Sequence, residues 1–308
     1  MIGVLEGVAV IGVIVLTGYL CARLGAFSAD TANALNRVAF YVATPAILFR
    51  ILSHADLRVL FSDYMLVAAV SALAAGVLYL SLSLLLFRRP AGETAVGTAS
   101  AMFLNSNNIG VPVAAFVIDD PQAIAAVLVL QPIAFTPVLL AVLDGTSGRP
   151  LSVGRVLTQP LRNPVIVAAA TGVAVALLGV ELPEVVEVPV DLLADAAIPV
   201  VLIAFGVSLV GRRVLEPGGD RVPIVVATVV KAVVMPAVAW LVAGPVLHLA
   251  PAVVFATVVV AALPTGQVIY TYASRFGRGV VLARDVVLLT TIAAVPVLLL
   301  VAALLHPA

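Results

Sequence analysis

Residues 64–87, YMLVAAVSALAAGVLYLSLSLLLF, run without a single charged side chain. A helix of about 20 such residues matches the hydrocarbon thickness of a bilayer. Ten apolar runs of about this length follow one another, at about 2–22, 31–52, 64–87, 94–118, 122–143, 163–180, 190–210, 222–244, 250–274 and 281–304, and the third to sixth and the ninth hold no charged residue. Inside lipid every backbone N–H and C=O must find a partner within the protein, which leaves only helices and closed barrels. Barrel strands alternate apolar and polar residues, and these runs are continuous. The expected fold is therefore an all-α integral membrane protein of ten transmembrane helices.

Composition narrows the function. Charged residues make up 10% of the chain and hydrophobic residues 63%, against roughly 25% charged in soluble domains. Little chain is left for a soluble domain. The formal net charge is zero, which implies no nucleic-acid or acidic partner. The single cysteine, Cys21, excludes an internal disulfide. MIGVLEGVAV lacks a basic n-region and a small-residue cleavage site, so it reads as a first span rather than a removable signal. No GxSxG, HExxH or Cys–His constellation is present, and no glycine-rich phosphate loop. These absences argue against an intramembrane enzyme or an ATP-driven pump. His54, His248 and His306 fall in loops or at the terminus without metal-ligand spacing, so no metal or cofactor is expected.

The arginines orient the spans. The odd-numbered connections and their flanks hold Arg23, Arg37, Arg88, Arg89, Arg149, Arg155, Arg162, Arg212, Arg213, Arg221, Arg275, Arg278 and Arg284, whereas the even ones hold Arg50 and Arg58. Acidic residues crowd the even side, from Asp56 and Asp63 to Glu187 and Asp191. The positive-inside rule puts the odd connections in the cytoplasm and both termini outside. The expected location is the plasma or inner cell membrane, crossed many times.

The chain also repeats itself. Sliding it by 154 residues sets Thr17-Gly18 on Thr171-Gly172, Leu24-Gly25 on Leu178-Gly179, and Ala43-Thr44-Pro45 on Ala197-Ile198-Pro199. The expected organisation is a five-helix repeat over 1–145, a short cytoplasmic connection over 146–160, and a second repeat over 161–308. An odd number of spans per repeat inverts the second half in the membrane. Many secondary transporters are built this way, with the substrate site at the repeat interface.

Two spans are broken near their centres. FLNSNNIGVP (103–112) puts Asn105, Ser106, Asn107 and Asn108 in the fourth span and follows them with Gly110 and Pro112. The ninth span carries Pro264, Thr265, Gly266 and Gln267. Proline removes an N–H donor and glycine eases departure from helical geometry. Backbone freed in this way survives only inside protein or beside a wet cavity. The half-helix after each break points free N–H groups and a positive dipole end at the gap, which favours an anion. Asn105, Asn107, Asn108, Thr265 and Gln267 add neutral donors and acceptors, so these residues are candidates for a substrate site. Offsets of 154 and 157 both bring the two breaks together, and neither is preferred. Interhelical hydrogen bonding by the asparagines is the competing account.

Lys231, the only lysine, lies mid-span in TVVKAVVMP. A cation at bilayer centre costs on the order of 3 kcal/mol on insertion scales. Either it is a counter-charge for an anionic substrate or a gating residue, or it is structural, capping carbonyls at a broken helix or paired with a carboxylate. Gln131 in the fifth span faces either the cavity or a neighbouring helix.

Several segments in order resemble the auxin efflux carrier family. They are LTGYLCARLGAFSADTANALNRVAFYVATPAILFRIL (16–52), LNSNNIGVPV (104–113), LRNPVIVAAATGVAV (161–175), DAAIPVVLIAFGVSLVG (195–211), VVKAVVMPAV (229–238) and ALPTGQVIYTYASRFG (262–277). The resemblance covers nearly the whole chain. It implies two inverted five-helix repeats whose broken helices four and nine cross. Helices one, two, six and seven would form a scaffold, and helices three to five and eight to ten a moving transport domain. A substrate carboxylate would bind at Asn107, Asn108 and Pro112 on one crossing helix and at Pro264 and Thr265 on the other. Prokaryotic members are described as carriers of malonate, malate or similar acids, and plant members move auxin. The long cytosolic loop of the plant carriers is reduced here to the connection 144–164. A homodimer through the scaffold helices is a further implication. The expected function is a secondary carrier of a small organic anion with elevator-type alternating access. The alternatives are a sodium-coupled symporter of a larger amphipathic anion, and a non-transporting sensor or scaffold. Bile-acid sodium symporters share the implied fold, but no acidic pair lies near the crossing, which leaves H+ or Na+ open as coupling ion.

Overall fold

The computed structural model describes residues 2–54, 63–120, 122–146, 164–210 and 221–306. In chain order, α1 is Ile2–Arg23; α2 is Ala29–Val38, Ala39–Ala43 and Thr44–Ser53 run together; α3 is Asp63–Leu82 with Ser83–Phe87. α4 is Ala91–Met102; α5 is Ser106–Gly110, Val111–Val113 and Ala114–Ile118; α6 is Gln122–Leu130, Gln131–Phe135 and Thr136–Thr146. α7 is Pro164–Leu178, α8 Glu184–Asp195, α9 Ala197–Ser208; α10 joins Arg221–Val229, Val230–Val234, Met235–Leu241 and Val242–Val246. α11 is Pro251–Ala261, α12 Val268–Phe276 and α13 Val280–Leu305. Among the described residues there is no strand. One isolated antiparallel bridge pairs Leu104 with Thr265.

Among the described residues, five stretches are long and apolar enough to cross a membrane: Asp30–Ser53, Asp63–Phe87, Glu184–Val207, Arg221–Val246 and Val280–Leu305. They fall on the runs beginning at 31, 64, 190, 222 and 281. The other five runs hold shorter apolar helices, Gly12–Arg23, Asn108–Ile118, Thr136–Thr146, Val167–Leu178 and Pro251–Ala261. Two of these are short because the chain leaves helical geometry after Met102 and after Ala261.

The long helices are not uniform. Wide π turns, closed by i→i+5 hydrogen bonds, interrupt them, and three end two residues before a proline: Ala39–Ala43 before Pro45, Ser106–Gly110 before Pro112, and Val230–Val234 before Pro236. Proline cannot donate to the carbonyl four residues back, and a widened turn takes up the mismatch. At Val230–Val234 the Met235 N–H reaches Val230 O instead.

The chain divides into two compact units. The first holds Met1–Ser62, Asn107–Val129 and Thr158–Arg212, and the second Asp63–Ser106, Leu130–Leu157 and Arg213–Ala308. In the first unit two helix pairs approach until backbone meets backbone. A Cβ on Gly18 of α1 would collide with the Ile203 carbonyl of α9, and one on Gly172 of α7 would lie 2.9 Å from the Phe49 carbonyl of α2. The offset of 154 that sets Gly18 on Gly172 also sets Phe49 on Ile203, so the two contacts are the same contact with the halves exchanged. Gly25 (φ 82) and Gly179 (φ 60), another matched pair, each end their helix in the left-handed region that glycine enters without strain. Arg50 of α2 reaches across to Asp195 (2.7 Å) and Asp191 (3.6 Å) of α8. In the second unit Gly97 of α4 leaves room for the Tyr79 ring of α3, and Gly76 for the Met102 sulfur.

Candidate functional site

The two broken spans meet in the second unit. The Asn105 N–H donates to Pro264 O (2.7 Å) and the Gly266 N–H to Phe103 O (3.3 Å), so the breaks are joined by a short antiparallel pairing centred on Leu104 and Thr265. Neither sequence offset predicts this register. They would have set Leu104 against Val258 or Ala261. The approach is tight enough to require glycine, because a Cβ on Gly266 would lie 3.0 Å from Leu104 O.

Each break removes a helical hydrogen bond, and side chains replace both of its halves. In an unbroken helix the Leu104 N–H would donate to Ser100 O and the Thr265 N–H to Ala261 O. Here the Leu104 N–H donates to Gln131 Oε1, and the Thr265 N–H donates to Thr290 Oγ1 at 3.0 Å. Ser100 O accepts instead from Thr265 Oγ1 (2.6 Å), and Ala261 O from Lys231 Nζ (2.9 Å). The cast differs at one point for a chemical reason. Thr265 serves the opposite helix with its hydroxyl, while its bridge partner Leu104 has no donor to offer, and Lys231 takes that place. Gln131 adds two donations from Nε2, to Leu104 O (3.1 Å) and Ser106 Oγ (3.0 Å). Thr290 passes its own proton back along α13 to Val286 O (2.7 Å). Unpartnered backbone at this depth would cost several kcal/mol per group, and each of these four is satisfied.

All of this lies out of solvent. Lys231, Thr265 and Thr290 are at most 1% exposed, and Asn105, Ser106 and Gln131 are buried as well. Lys231 resolves toward carbonyl capping in its direct contact. Among the described residues, Ala261 O engages one of its three N–H groups. Among the described residues no carboxylate lies within ion-pair distance of it, whereas Glu93 pairs with Arg89 (2.9 Å) and the buried Asp285 with Arg284 (2.7 Å).

Of the residues singled out in the sequence, the structure brings together Asn105, Pro264, Thr265, Gly266 and Lys231 around one pairing. Gln267 follows as the half-buried N-cap of α12. Asn107, Asn108, Gly110 and Pro112 lie one step further along α5, in the stretch that belongs to the first unit. Asn108 is half-buried, and the Asn107 side chain lies outside the described residues. Pro112 lines a small cleft with Thr44, Ile47, Val111, Ala197, Ile198 and Val201. Among them Thr44 and Ile198 are matched by the repeat. Thr290 escaped sequence reasoning because a threonine in an apolar run carries no distinguishing signal. Gln131 did carry one, a carboxamide beside Pro132 in an otherwise apolar span, but not its direction.

Comparison with known proteins gives the family of the chain. A family model for membrane transport proteins matches residues 3–144 and 149–302. The chain belongs to that family, the auxin efflux carrier-like membrane transport proteins. Among its relatives in the family, a protein of Rhizobium meliloti (strain 1021) named "Putative malonate transporter" is 26% identical over 291 residues, 92% of this chain and 89% of the relative. A protein of Escherichia coli (strain K12) named "Uncharacterized transporter YfdV" is 27% identical over 278 residues, 86% of this chain and 85% of the relative. A protein of the same name from Shigella flexneri matches to the same extent. This chain is thus a multi-pass membrane transport protein and not an enzyme.

Proposed function

We propose that this family member is a secondary carrier of a small organic anion, a carboxylate such as malonate or malate or an auxin-like weak acid. The observation that carries the reading is Lys231, fully buried against the broken ninth span with no carboxylate partner among the described residues. A positive charge in lipid needs an anion or a wet cavity, and a substrate carboxylate supplies the first. The printed name of the Rhizobium relative points to the same chemical class. Asn105, Asn107, Asn108, Thr265 and Gln267 would orient the carboxylate by neutral hydrogen bonds, which hold it without blocking release. Gly110, Pro112, Pro264 and Gly266 open the helices around it.

The carrier is read as two inverted five-helix repeats with both termini outside. The reciprocal Gly18–Ile203 and Gly172–Phe49 contacts support related halves. The transport domain is read as helices three to five and eight to ten, moving in an elevator-type cycle against a scaffold of helices one, two, six and seven. The test is uptake of radiolabelled mono- and dicarboxylates into proteoliposomes, with and without sodium, at two pH values. Saturable uptake is expected, reduced about tenfold or more in Lys231→Met and Asn108→Ala, as follows when a charge-assisted contact is lost. No uptake of any carboxylate, or uptake unchanged in both variants, would overturn the assignment. Sodium-dependent uptake would move it toward a symporter.

A further inference from the structure

We propose that Gln131 and Thr290 are positioning residues for transport, holding the two broken helices in the geometry that receives substrate. The proposal rests on the carboxylate-carrier reading above. Its physical basis is that each break has two competing sets of hydrogen bonds. In the helical set, Leu104 N–H returns to Ser100 O and Thr265 N–H to Ala261 O. In the observed set these two N–H groups are held by Gln131 Oε1 and Thr290 Oγ1, and the two carbonyls by Thr265 Oγ1 and Lys231 Nζ. Removing the acceptor at either site strands a buried N–H, and the nearest cure is to re-form the helical bond. That would bring the helical N–H into competition with the Thr265 hydroxyl at Ser100 O, or with Lys231 at Ala261 O.

The two positions are matched in chemistry though not in residue type. Each supplies one buried oxygen to one freed amide, and each stands on a different helix from the break it serves, α6 for Gln131 and α13 for Thr290. Gln131 binds both the N–H and the C=O of Leu104 with one planar carboxamide, which ties down the two peptide planes that flank the Leu104 Cα. It also turns the Ser106 hydroxyl, one residue before Asn107 and Asn108. Neither oxygen need touch substrate for this to work.

The experiment compares Thr290→Val, which keeps shape and loses the oxygen, with Thr290→Ser, which keeps the oxygen. In proteoliposome uptake Thr290→Val is expected to raise KM for the best carboxylate about tenfold with kcat changed less, the scale set by one lost buried hydrogen bond. Thr290→Ser is expected to stay within about twofold of wild type on the same scale. Amide hydrogen exchange over 263–268 should accelerate in Thr290→Val and not in Thr290→Ser. Equal KM in Thr290→Val and wild type, or equal impairment in the valine and serine variants, overturns the proposal. If Thr290→Val does not fold, Gln131→Glu decides. Read with Gln131→Met, the glutamate variant keeps the acceptor for Leu104 N–H and the methionine variant removes it, so a KM in Gln131→Met equal to wild type, or impairment equal in both variants, overturns it. Should wild type move no carboxylate at all, the substrate reading fails. The exchange comparison then stands alone, and protection equal in all three proteins sinks the positioning role.

Discussion

An amine with no exposed surface is tolerated in a membrane span only if the groups around it compensate for lost hydration. Lys231 has one such group, the Ala261 carbonyl released by the break. Replacing it with methionine keeps the volume and leaves that carbonyl without its donor. A stranded buried acceptor costs about 1–3 kcal/mol, whereas relief of the buried amine gains on the order of 3 kcal/mol, so Lys231→Met should leave the midpoint of thermal unfolding in detergent unchanged or raised without substrate. A lowered midpoint would mean that the bond to Ala261 outweighs the cost of burying the amine. Residue by residue, the sequence exposed the donors and breakers whose types are rare in lipid: Asn105, Pro264, Gly266, Lys231. It could not show which oxygen each would meet, because those oxygens are main-chain carbonyls, identical at every position. Thr265 and Thr290 lie 25 residues apart, and nothing local marks them as partners.

Helices in lipid lack a hydrophobic drive toward one another and associate through close packing. In the first unit that packing is backbone against backbone at Gly18 and Gly172. The obstructing atom in each case is a main-chain carbonyl oxygen, which cannot swing aside as a flexible side chain would. Gly18→Ala and Gly172→Ala should each destabilise by about 1–3 kcal/mol, the usual range for overpacking. Gly12 lies on the same helix as Gly18, and a Cβ added there would meet nothing within 4 Å. Gly12→Ala should therefore be neutral or slightly stabilising through helix propensity. Parallel unfolding curves decide it, and three equal midpoints would refute the close-approach account. The sequence displayed these glycines as matched pairs without a reason for the match. The reason is that both halves use the same helix crossing. Helix lengths were less legible. Hydropathy reads a span straight through 103–105 and 262–267, because Phe, Leu and Ala remain apolar whether or not the backbone is helical.

For the whole molecule, the class was written in composition, and the charge pattern gives an expectation of orientation. Composition suffices for class because lipid imposes one requirement on every residue of a span, apolar surface with internally satisfied backbone. The side of the membrane is set instead by how lysine and arginine distribute over short connections, and here 13 of the 16 basic residues fall on odd-numbered connections and their flanks. The prediction is that Ser147, between the fifth and sixth spans, faces the cytoplasm, and Gly179, between the sixth and seventh, faces outward. With Cys21→Ser as background, a single cysteine at position 147 should resist a membrane-impermeant maleimide in intact cells and react after permeabilisation. One at Ala250, in the connection before α11, should react in intact cells. Gly179 itself is unsuitable for the substitution because its φ of 60 strains any side chain. The opposite labelling pattern would invert the molecule while leaving its fold intact. Equal labelling of both sites before permeabilisation would mean that the arginine bias does not govern insertion, and the ten-span count would be the first thing to fall, since a change of one span moves position 250 to the other side.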